Sequence, residues 1–332
     1  MRRLLGAAFG ALGSLRAAAY RRGLAPRSRL AGPVISVGNL GVGGSGKTPV
    51  VARVAEILRD AGLKVAVLSR GYGGTFRREA LVVSDGASVL AGADEAGDEP
   101  VMLARDLPGV VVAVGPRRDA VGRAVEARFG RLVHVLDDGF QHLRLERDLD
   151  LLCLDVRDLG DRPMPAGRLR EWPSAIDRAD AFLLTRLEAA SEEEIAALEA
   201  RLGPERTFRV ARRPTGWRTP GGAPAPAPAR AYLLAAIARP ERLERDVAGG
   251  GVAVVGRAFF RDHHRYRAEE LAAAAREARA AGADAIVTTA KDAVRLPAGD
   301  LCLPVLVLGI AAVIADEGRL RERVLAAARR TA

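Results

Sequence analysis

The segment Gly41-Val-Gly-Gly-Ser-Gly-Lys-Thr48 constrains this chain more than any other, because few backbones accommodate four glycines in six residues directly before Lys and Thr. An apolar run, Pro33-Val-Ile-Ser-Val-Gly38, precedes it and reads as a strand; residues 47–61 follow with helical periodicity. Gly, four residues, then Gly-Lys-Thr in a strand–loop–helix setting is the spacing of a phosphate-binding loop. Glycines let backbone N–H groups wrap phosphate oxygens at a helix N-terminus. On this reading Gly41, Gly43, Gly44, Ser45, Gly46 and Lys47 hold the phosphates of ATP, with Lys47 reaching the β- and γ-phosphates. The Thr48 hydroxyl is then a ligand for Mg²⁺. The motif does not say whether the γ-phosphate goes to water, to a protein or to a small substrate.

Apolar runs at 34–37, 64–69, 110–114, 132–136, 149–156 and 181–185 alternate with helical segments. Their near-continuous hydrophobicity suits parallel strands buried on both faces. The expected fold is therefore α/β, a mostly parallel P-loop-type sheet flanked by helices. Residues 219–230, alternating Ala and Pro, read as an extended linker unable to form helix or ladder. That places a larger P-loop core at 26–218 and a smaller C-terminal α/β lobe at 231–332, with strands at 232–236, 252–255, 285–289 and 304–308. Helices are expected there at 268–281 and 316–329.

The strand at 131–136 ends in Asp137-Asp138, the arrangement that places a carboxylate beside a nucleotide-bound metal; capping of the next helix is the alternative. Of the four histidines, His134 falls inside a core strand and His142 just after the paired acids. His263 and His264 sit in Phe259-Phe-Arg-Asp-His-His-Arg-Tyr266, a polar knot dense enough for a site. Asp98 and Glu99 precede a helix and could either complement its N-terminus or act in chemistry. Transfer to an alcohol needs a proton acceptor, and Asp98 and His263 are the available candidates. Their proximity does not follow from spacing.

Formal charge is +10, from 51 Lys+Arg against 41 Asp+Glu, which favours anionic partners without choosing among them. Cys153 and Cys302 both lie in apolar runs and read as small buried core thiols. No apolar stretch approaches the roughly 20 residues that span a bilayer. Residues 1–25 instead offer an amphipathic helix. Leu5, Phe9 and Leu12 share a face, with Leu4, Ala8, Leu15 and Ala19 alongside and Arg2, Arg3, Arg16, Arg21 and Arg22 at the ends and margin. Such a helix lies in a membrane interface, docks on the protein's own core, or serves as a signal peptide; the first reading is the expectation here.

Several strings coincide with one family. They are Val37-Gly-Asn-Leu through Gly46-Lys-Thr-Pro49, Ser69-Arg-Gly-Tyr-Gly73, Gly97-Asp-Glu-Pro100, Val114-Gly-Pro-Arg-Arg118 and Asp137-Asp-Gly-Phe-Gln-His142. Pro165-Ala-Gly-Arg-Leu-Arg-Glu171, Asp262-His263 and Thr288-Thr-Ala-Lys-Asp-Ala-Val294 continue the series. In these the chain resembles the tetraacyldisaccharide 4′-kinases of lipid A biosynthesis, along nearly its whole length. The resemblance implies transfer of the ATP γ-phosphate to the 4′-hydroxyl of a tetraacylated glucosamine disaccharide 1-phosphate, by a two-lobed enzyme peripheral to the cytoplasmic face of the inner membrane. It implies Asp98 as proton acceptor with His263 as partner, and Thr48, Glu99 and Asp138 near the metal. Arg70, Arg118, Asp137, Gln141, His142, Arg170 and Lys291 are implied around phosphates or sugar.

The chain departs from the family pattern at Arg168, where Pro is common, at Ala290, where Glu is common, and at Ala236-Ile-Ala-Arg-Pro240. A membrane-bound switch ATPase, a nucleic-acid-dependent ATPase and a lipid or sugar kinase with another acceptor are the rival readings. The Asp-His-His-Arg-Tyr segment speaks against a switch; scattered basic residues and few aromatics speak against nucleic acid. No nucleic-acid partner and no obligate protein partner are expected.

Overall fold

The structure, a computed structural model, describes residues 1–43, 46–296 and 301–330. Gly44 and Ser45 of the glycine-rich loop lie outside the described residues. In chain order the elements are α1 (Arg2–Arg21), β1 (Val34–Asn39), α2 (Lys47–Asp60), β2 (Val65–Ser69), β3 (Leu81–Asp85), α3 (Ala93–Ala96) and α4 (Asp98–Asp106). Then come β4 (Val111–Val114), α5 (Arg118–Phe129), β5 (Val133–Asp137), β6 (Leu149–Asp155), β7 (Ala181–Thr185), α6 (Glu192–Leu202) and β8 (Thr207–Arg218). The rest is β9 (Pro224–Ala225), β10 (Arg230–Ala235), α7 (Glu241–Gly249), β11 (Ala253–Phe259), α8 (Ala268–Ala280), β12 (Ala285–Thr289), α9 (Ala290–Ala293), β13 (Val305–Ile314) and α10 (Glu317–Ala328).

One sheet runs through the molecule in the order β11-β10-β12-β13-β8-β7-β6-β1-β5-β2-β4-β3, with β9 paired to β8. Parallel pairing holds from β8 to β4 and again from β13 to β11; β3 is an antiparallel edge. The two parallel runs meet at β8. Its first residues pair parallel with β7, and Val210 to Arg218 pair antiparallel with β13. The α/β architecture is as the alternating pattern requires: β1, β2, β4, β5, β6 and β7 are buried along their whole lengths.

Core packing ties the chain's end to its beginning. Leu320, Val324 and Ala327 of α10 join Val50, Val51 and Val54 of α2 and Ile35 and Val37 of β1 in one cluster. Full burial of a side chain such as Leu320 contributes about 1.5–3 kcal/mol, so this return is a substantial tie. The strands β10 and β12 have their own cores, with Leu243 and Val247 of α7 on one face and Leu271 and Ala274 of α8 on the other.

Three expectations need correction. The Ala/Pro segment does form a ladder: Pro224 and Ala225 pair with Arg218 and Trp217 after a turn closed by Thr219 and Gly222. Proline is tolerated there because the pair is a sheet edge, where its missing N–H breaks no bond. Cys302 is exposed, not buried, and only Cys153 is a core thiol. The Cys302 run bends before β13 begins, with φ at 61°, so its apolar context is not a strand. The third concerns β8, which the hydrophobic pattern missed. Beyond Val210 its Arg-rich residues are mostly exposed, and no alternation marks them.

Helix α1 docks, but by a different face from the one its leucines suggest. Gly6 and Gly10 are its buried residues, pressed against Pro163, Ala166 and Trp172. Leu4, Leu5, Phe9, Leu12 and Leu15 point away and are exposed. No helix among the described residues is long and apolar enough to cross a membrane. Close approach depends on the glycines: a Cβ at Gly10 would sit 2.4 Å from Trp172 Nε1 and 2.8 Å from Pro163 Cγ. Gly10→Val should therefore lever α1 off the body at a cost of roughly 1–3 kcal/mol. Limited trypsin digestion should then cut at Arg16, Arg21 and Arg22 faster than in the parent; an unchanged rate would refute docking through this face.

Candidate active site

The phosphate loop is built as β1 ends. The Asn39 amide donates to Gly41 O at 2.7 Å and its oxygen accepts Lys47 Nζ at 2.8 Å, so the strand's last residue braces both loop and lysine. Gly43 and Gly46 take positive φ (101° and 76°), conformations that a side chain would strain. Gly41 is buried and Thr48 half-buried in the first turn of α2. The Pro165-Ala-Gly-Arg-Leu-Arg-Glu171 string supports the loop from outside. Leu169 is buried, Arg170 N donates to Leu40 O at 2.7 Å, and Val42 N donates to Arg168 O at 2.8 Å. Arg168, the residue at which the chain departs from the family pattern, joins Asp161 at 3.0 Å.

That zipper delivers Arg170 to the end of β5. Arg170 Nη1 lies 2.7 Å from Asp138 Oδ2 and 3.4 Å from Gln141 Oε1, while Lys47 Nζ lies 3.3 Å from Asp138 Oδ1. Burial pushes the Asp138 carboxyl up, but the charges of Lys47 and Arg170 outweigh it and hold the group below its ordinary range. Asp137 differs. Ser69 Oγ donates to it at 2.8 Å, yet deep burial and then the nearby charge of Glu99 push it up to about 6. Glu99 and Asp138 add to the effect of burial on this third acid, although Lys47 and Arg170 already pair with Asp138 and Lys291 lies 3.8 Å from Glu99. Gln141 Nε2 donates to Asn39 O at 3.0 Å, closing the turn back on β1.

A cationic wall stands beside the acids. Arg118, at the start of α5, is buried and donates to Gly115 O at 3.1 Å and Asp137 O at 3.4 Å. Burial lowers it to about 10, only partly countered by Asp137 and Asp138. His142 is pushed down to about 4 by burial and by the positive charge of Arg118. Arg70 is exposed, and its charge reaches Arg118.

The second cluster joins the two parallel runs of the sheet. Asp98 opens α4, buried, after Gly97 at φ 90°; a Cβ on Gly97 would meet Tyr72 O at 2.4 Å, so the Ser-Arg-Gly-Tyr-Gly loop packs directly behind the acid. Across from it, His263 Nδ1 lies 2.9 Å from Asp98 Oδ2 and Nε2 lies 3.1 Å from Lys291 Nζ. An ammonium only donates, so Nε2 accepts and the ring proton sits on Nδ1, directed at Asp98. Lys291 also lies 3.2 Å from Asp262 and 3.8 Å from Glu99. Glu99 is exposed enough to face solvent, unlike Asp98. Tyr72 meets the His263 ring edge-on, centroids 5.6 Å apart. His134 is buried in β5 and bonds Glu126 at 3.0 Å, a structural pair as its strand position suggested. His264 bonds Glu270 at 2.7 Å and stacks on Phe260.

The structure therefore brings Asp98, Glu99, His263 and Lys291 together, and Lys47, Asp138, Gln141 and Arg170 together, with Asp137 and Arg118 between. Asn39, Ser69, Tyr72 and Arg295 escaped the sequence reading. Asn39 and Ser69 stood inside quoted strings as strand ends, and nothing in their type marked them.

A model of the tetraacyldisaccharide-1-P 4′-kinase family matches residues 2–329 of this chain. The chain belongs to that family. Among its relatives, the tetraacyldisaccharide 4′-kinase of Anaeromyxobacter dehalogenans (strain 2CP-C) is 45% identical over 87% of this chain and 79% of its own length. That of Geobacter metallireducens is 44% identical over 85% and 84% respectively. The crystal structure of LpxK from Aquifex aeolicus in complex with ATP superposes with a TM-score of 0.80 at 28% identity, covering 98% of this chain and 97% of that one.

The pH behaviour of His142 follows from its setting. Its native pKa, about 4, is below the ordinary 6.5, so above pH 6.5 neither folded nor unfolded chain holds the proton. Between these values the unfolded chain binds a proton the native state refuses, and stability falls as pH drops. Melting temperature should fall more from pH 7 to pH 5 in the parent than in His142→Gln. Equal falls would show that His142 is not held neutral.

Proposed function

We propose that this chain is an ATP-dependent kinase that phosphorylates the 4′-hydroxyl of a tetraacylated glucosamine disaccharide 1-phosphate, giving the bis-phosphorylated lipid A precursor. One observation carries the chemistry beyond family membership: Asp98 and His263, far apart in sequence, meet at 2.9 Å beside the phosphate-loop cluster. A carboxylate held by a neutral imidazole, itself held by Lys291, suits a group that takes a proton from an attacking alcohol. Asp98 accepts the hydroxyl proton as the 4′-oxygen forms its bond to the γ-phosphorus and the bond to the bridging oxygen of ADP breaks. His263 orients Asp98 throughout.

Gly41, Gly43, Gly44, Ser45, Gly46 and Lys47 hold the ATP phosphates in this reading, and Thr48, Glu99 and Asp138 would hold Mg²⁺. The ion would supply charge neutralisation at the transferring phosphoryl group. Arg118, Arg170 and Lys291 line the site with positive charge for an anionic acceptor and product, with Arg70, Asp137, Gln141 and His142 around them. The working division is a core over 26–218 and a lobe over 231–332, joined through β8 and the segment 219–230, with α10 returning to the core. The exposed apolar face of α1, flanked by Arg2, Arg3, Arg21 and Arg22, supports a peripheral seat on the cytoplasmic face of the inner membrane. The acyl chains of the substrate would then stay in lipid while the sugar is phosphorylated.

Purified protein, radiolabelled ATP, Mg²⁺ and tetraacyldisaccharide 1-phosphate in detergent micelles should yield a labelled bis-phosphorylated lipid. Free phosphate alone would overturn the proposal. Asp98→Ala should lower kcat by ~10²–10⁴-fold, the range for losing a general base, while ATP binding persists. Near-normal turnover would remove Asp98 from this role. The triple change Leu5→Ser, Phe9→Ser, Leu12→Ser should reduce co-sedimentation with anionic vesicles and raise KM for the lipid more than for ATP. Unchanged sedimentation would dismiss the membrane seat.

A further inference from the structure

We infer that Arg295 is a positioning residue for phosphoryl transfer, holding the strained His263 segment and Asp98 in register across the two runs of the sheet. The inference rests on the proton-accepting role proposed for Asp98. Arg295 lies one residue beyond the Thr288–Val294 string, in the turn after α9, and its side chain is only 6% exposed. Local chemistry fixes that turn. The Thr289 side chain caps α9 by accepting from Asp292 N at 3.1 Å and donates to Asp292 Oδ2 at 2.7 Å. Asp292 Oδ1 then takes Arg295 Nη2 at 2.6 Å and Ala236 N at 3.2 Å.

The guanidinium reaches three ways from there. Nη2 also donates to Ala236 O at 3.2 Å, and Nη1 donates to His264 O at 2.6 Å. Nε is buried and lies 3.4 Å from Asp98 Oδ2, on the carboxylate oxygen that His263 Nδ1 also contacts. His263 has φ 61°, a left-handed conformation that costs a non-glycine residue energy and persists only when its surroundings impose it. Its N–H bonds Ala236 O at 3.2 Å, the same carbonyl that Arg295 holds. Arg295 therefore holds the carbonyl that follows the strained histidine and the Ala236 carbonyl that accepts its N–H, and it faces the acid beside that histidine. Asp292 and Ala236 O share Nη2 and His264 O takes Nη1, while Nε makes no hydrogen bond and faces Asp98 as a charge at 3.4 Å. A lysine carries the charge but lacks the planar fork, so it cannot make these contacts at once.

Arg295→Met, Arg295→Lys, Asp98→Asn and the double variant Asp98→Asn/Arg295→Met test this by steady-state kinetics with the disaccharide lipid, beside melting curves. Misplacing reacting groups by about 1 Å costs on the order of 10²-fold in rate, so Arg295→Met should lower kcat by roughly that factor with KM for ATP within about twofold. Arg295→Lys should restore part of the rate. The double variant should be no slower than Asp98→Asn, because the arginine acts through the acid. A folded Arg295→Met with kcat within about twofold of the parent, or a double variant slower by the full product of the single losses, would overturn the inference. If Arg295→Met does not fold, Arg295→Lys decides: a fall in kcat of about fivefold or more at unchanged KM for ATP supports positioning, and parental kinetics refute it. Parental turnover in Asp98→Asn would instead overturn the reading of Asp98, whatever the arginine variants do.

Discussion

The whole arrangement depends on β8, one strand hydrogen-bonded to different partners along its length. Pairing parallel with β7 at Phe182–Leu184 and antiparallel with β13 from Val210 to Arg218 locks two separately wound parallel runs into one sheet. Because ladder register moves in steps of a whole residue, and each step turns side chains to the other face, the two runs cannot slide continuously past each other. That fixed relation sets where the segment after β11 lies against the N-terminus of α4, and so lets His263 reach Asp98. The return of α10 onto α2 and β1 reinforces it from the far side of the core.

Within this frame the site concentrates charge that protein partners only partly balance. Asp138 is held ionised between Lys47 and Arg170, whereas Asp137 is pushed up to about 6 and Arg118 down to about 10 by burial. Groups displaced toward neutrality in opposite directions mark a place where burial outweighs local pairing. A polyphosphate would meet the cations there and a divalent ion the acids. The neutral His263 serves another purpose. With Nε2 facing Lys291, its Nδ1 proton is directed at Asp98, so contacts within the chain orient the carboxylate.

Helix α1 shows how small residues decide an outcome that large ones suggest. Its leucines define an apolar face, but Gly6 and Gly10 allow the closest approach to Pro163 and Trp172, and packing there leaves the leucines outside. A helix can therefore be both docked on the body and amphipathic toward an external apolar phase. Docking uses the glycine face of the helix, and its leucine face stays exposed.

Much of the fold was legible because buried parallel strands write themselves as continuous apolar runs. The boundaries of β7 and β12 agree with the runs at 181–185 and 285–289, and α2 begins at the lysine of the phosphate loop. The phosphate loop itself was legible because its backbone demands glycine. Where pairing alone makes the element, as in the Arg-rich end of β8 or Pro224–Ala225, composition carries no signal and only the partner strand reveals it. The same division holds in the site. By its chemical types the sequence determined a phosphate loop, a pair of acids after a strand, and a candidate acid and histidine for moving a proton. The tertiary structure alone decided the distances at which His263 and Arg295 meet Asp98 and at which Lys291 meets the ring, because the contacts to Asp98 span more than 160 residues and no local periodicity can encode such a distance.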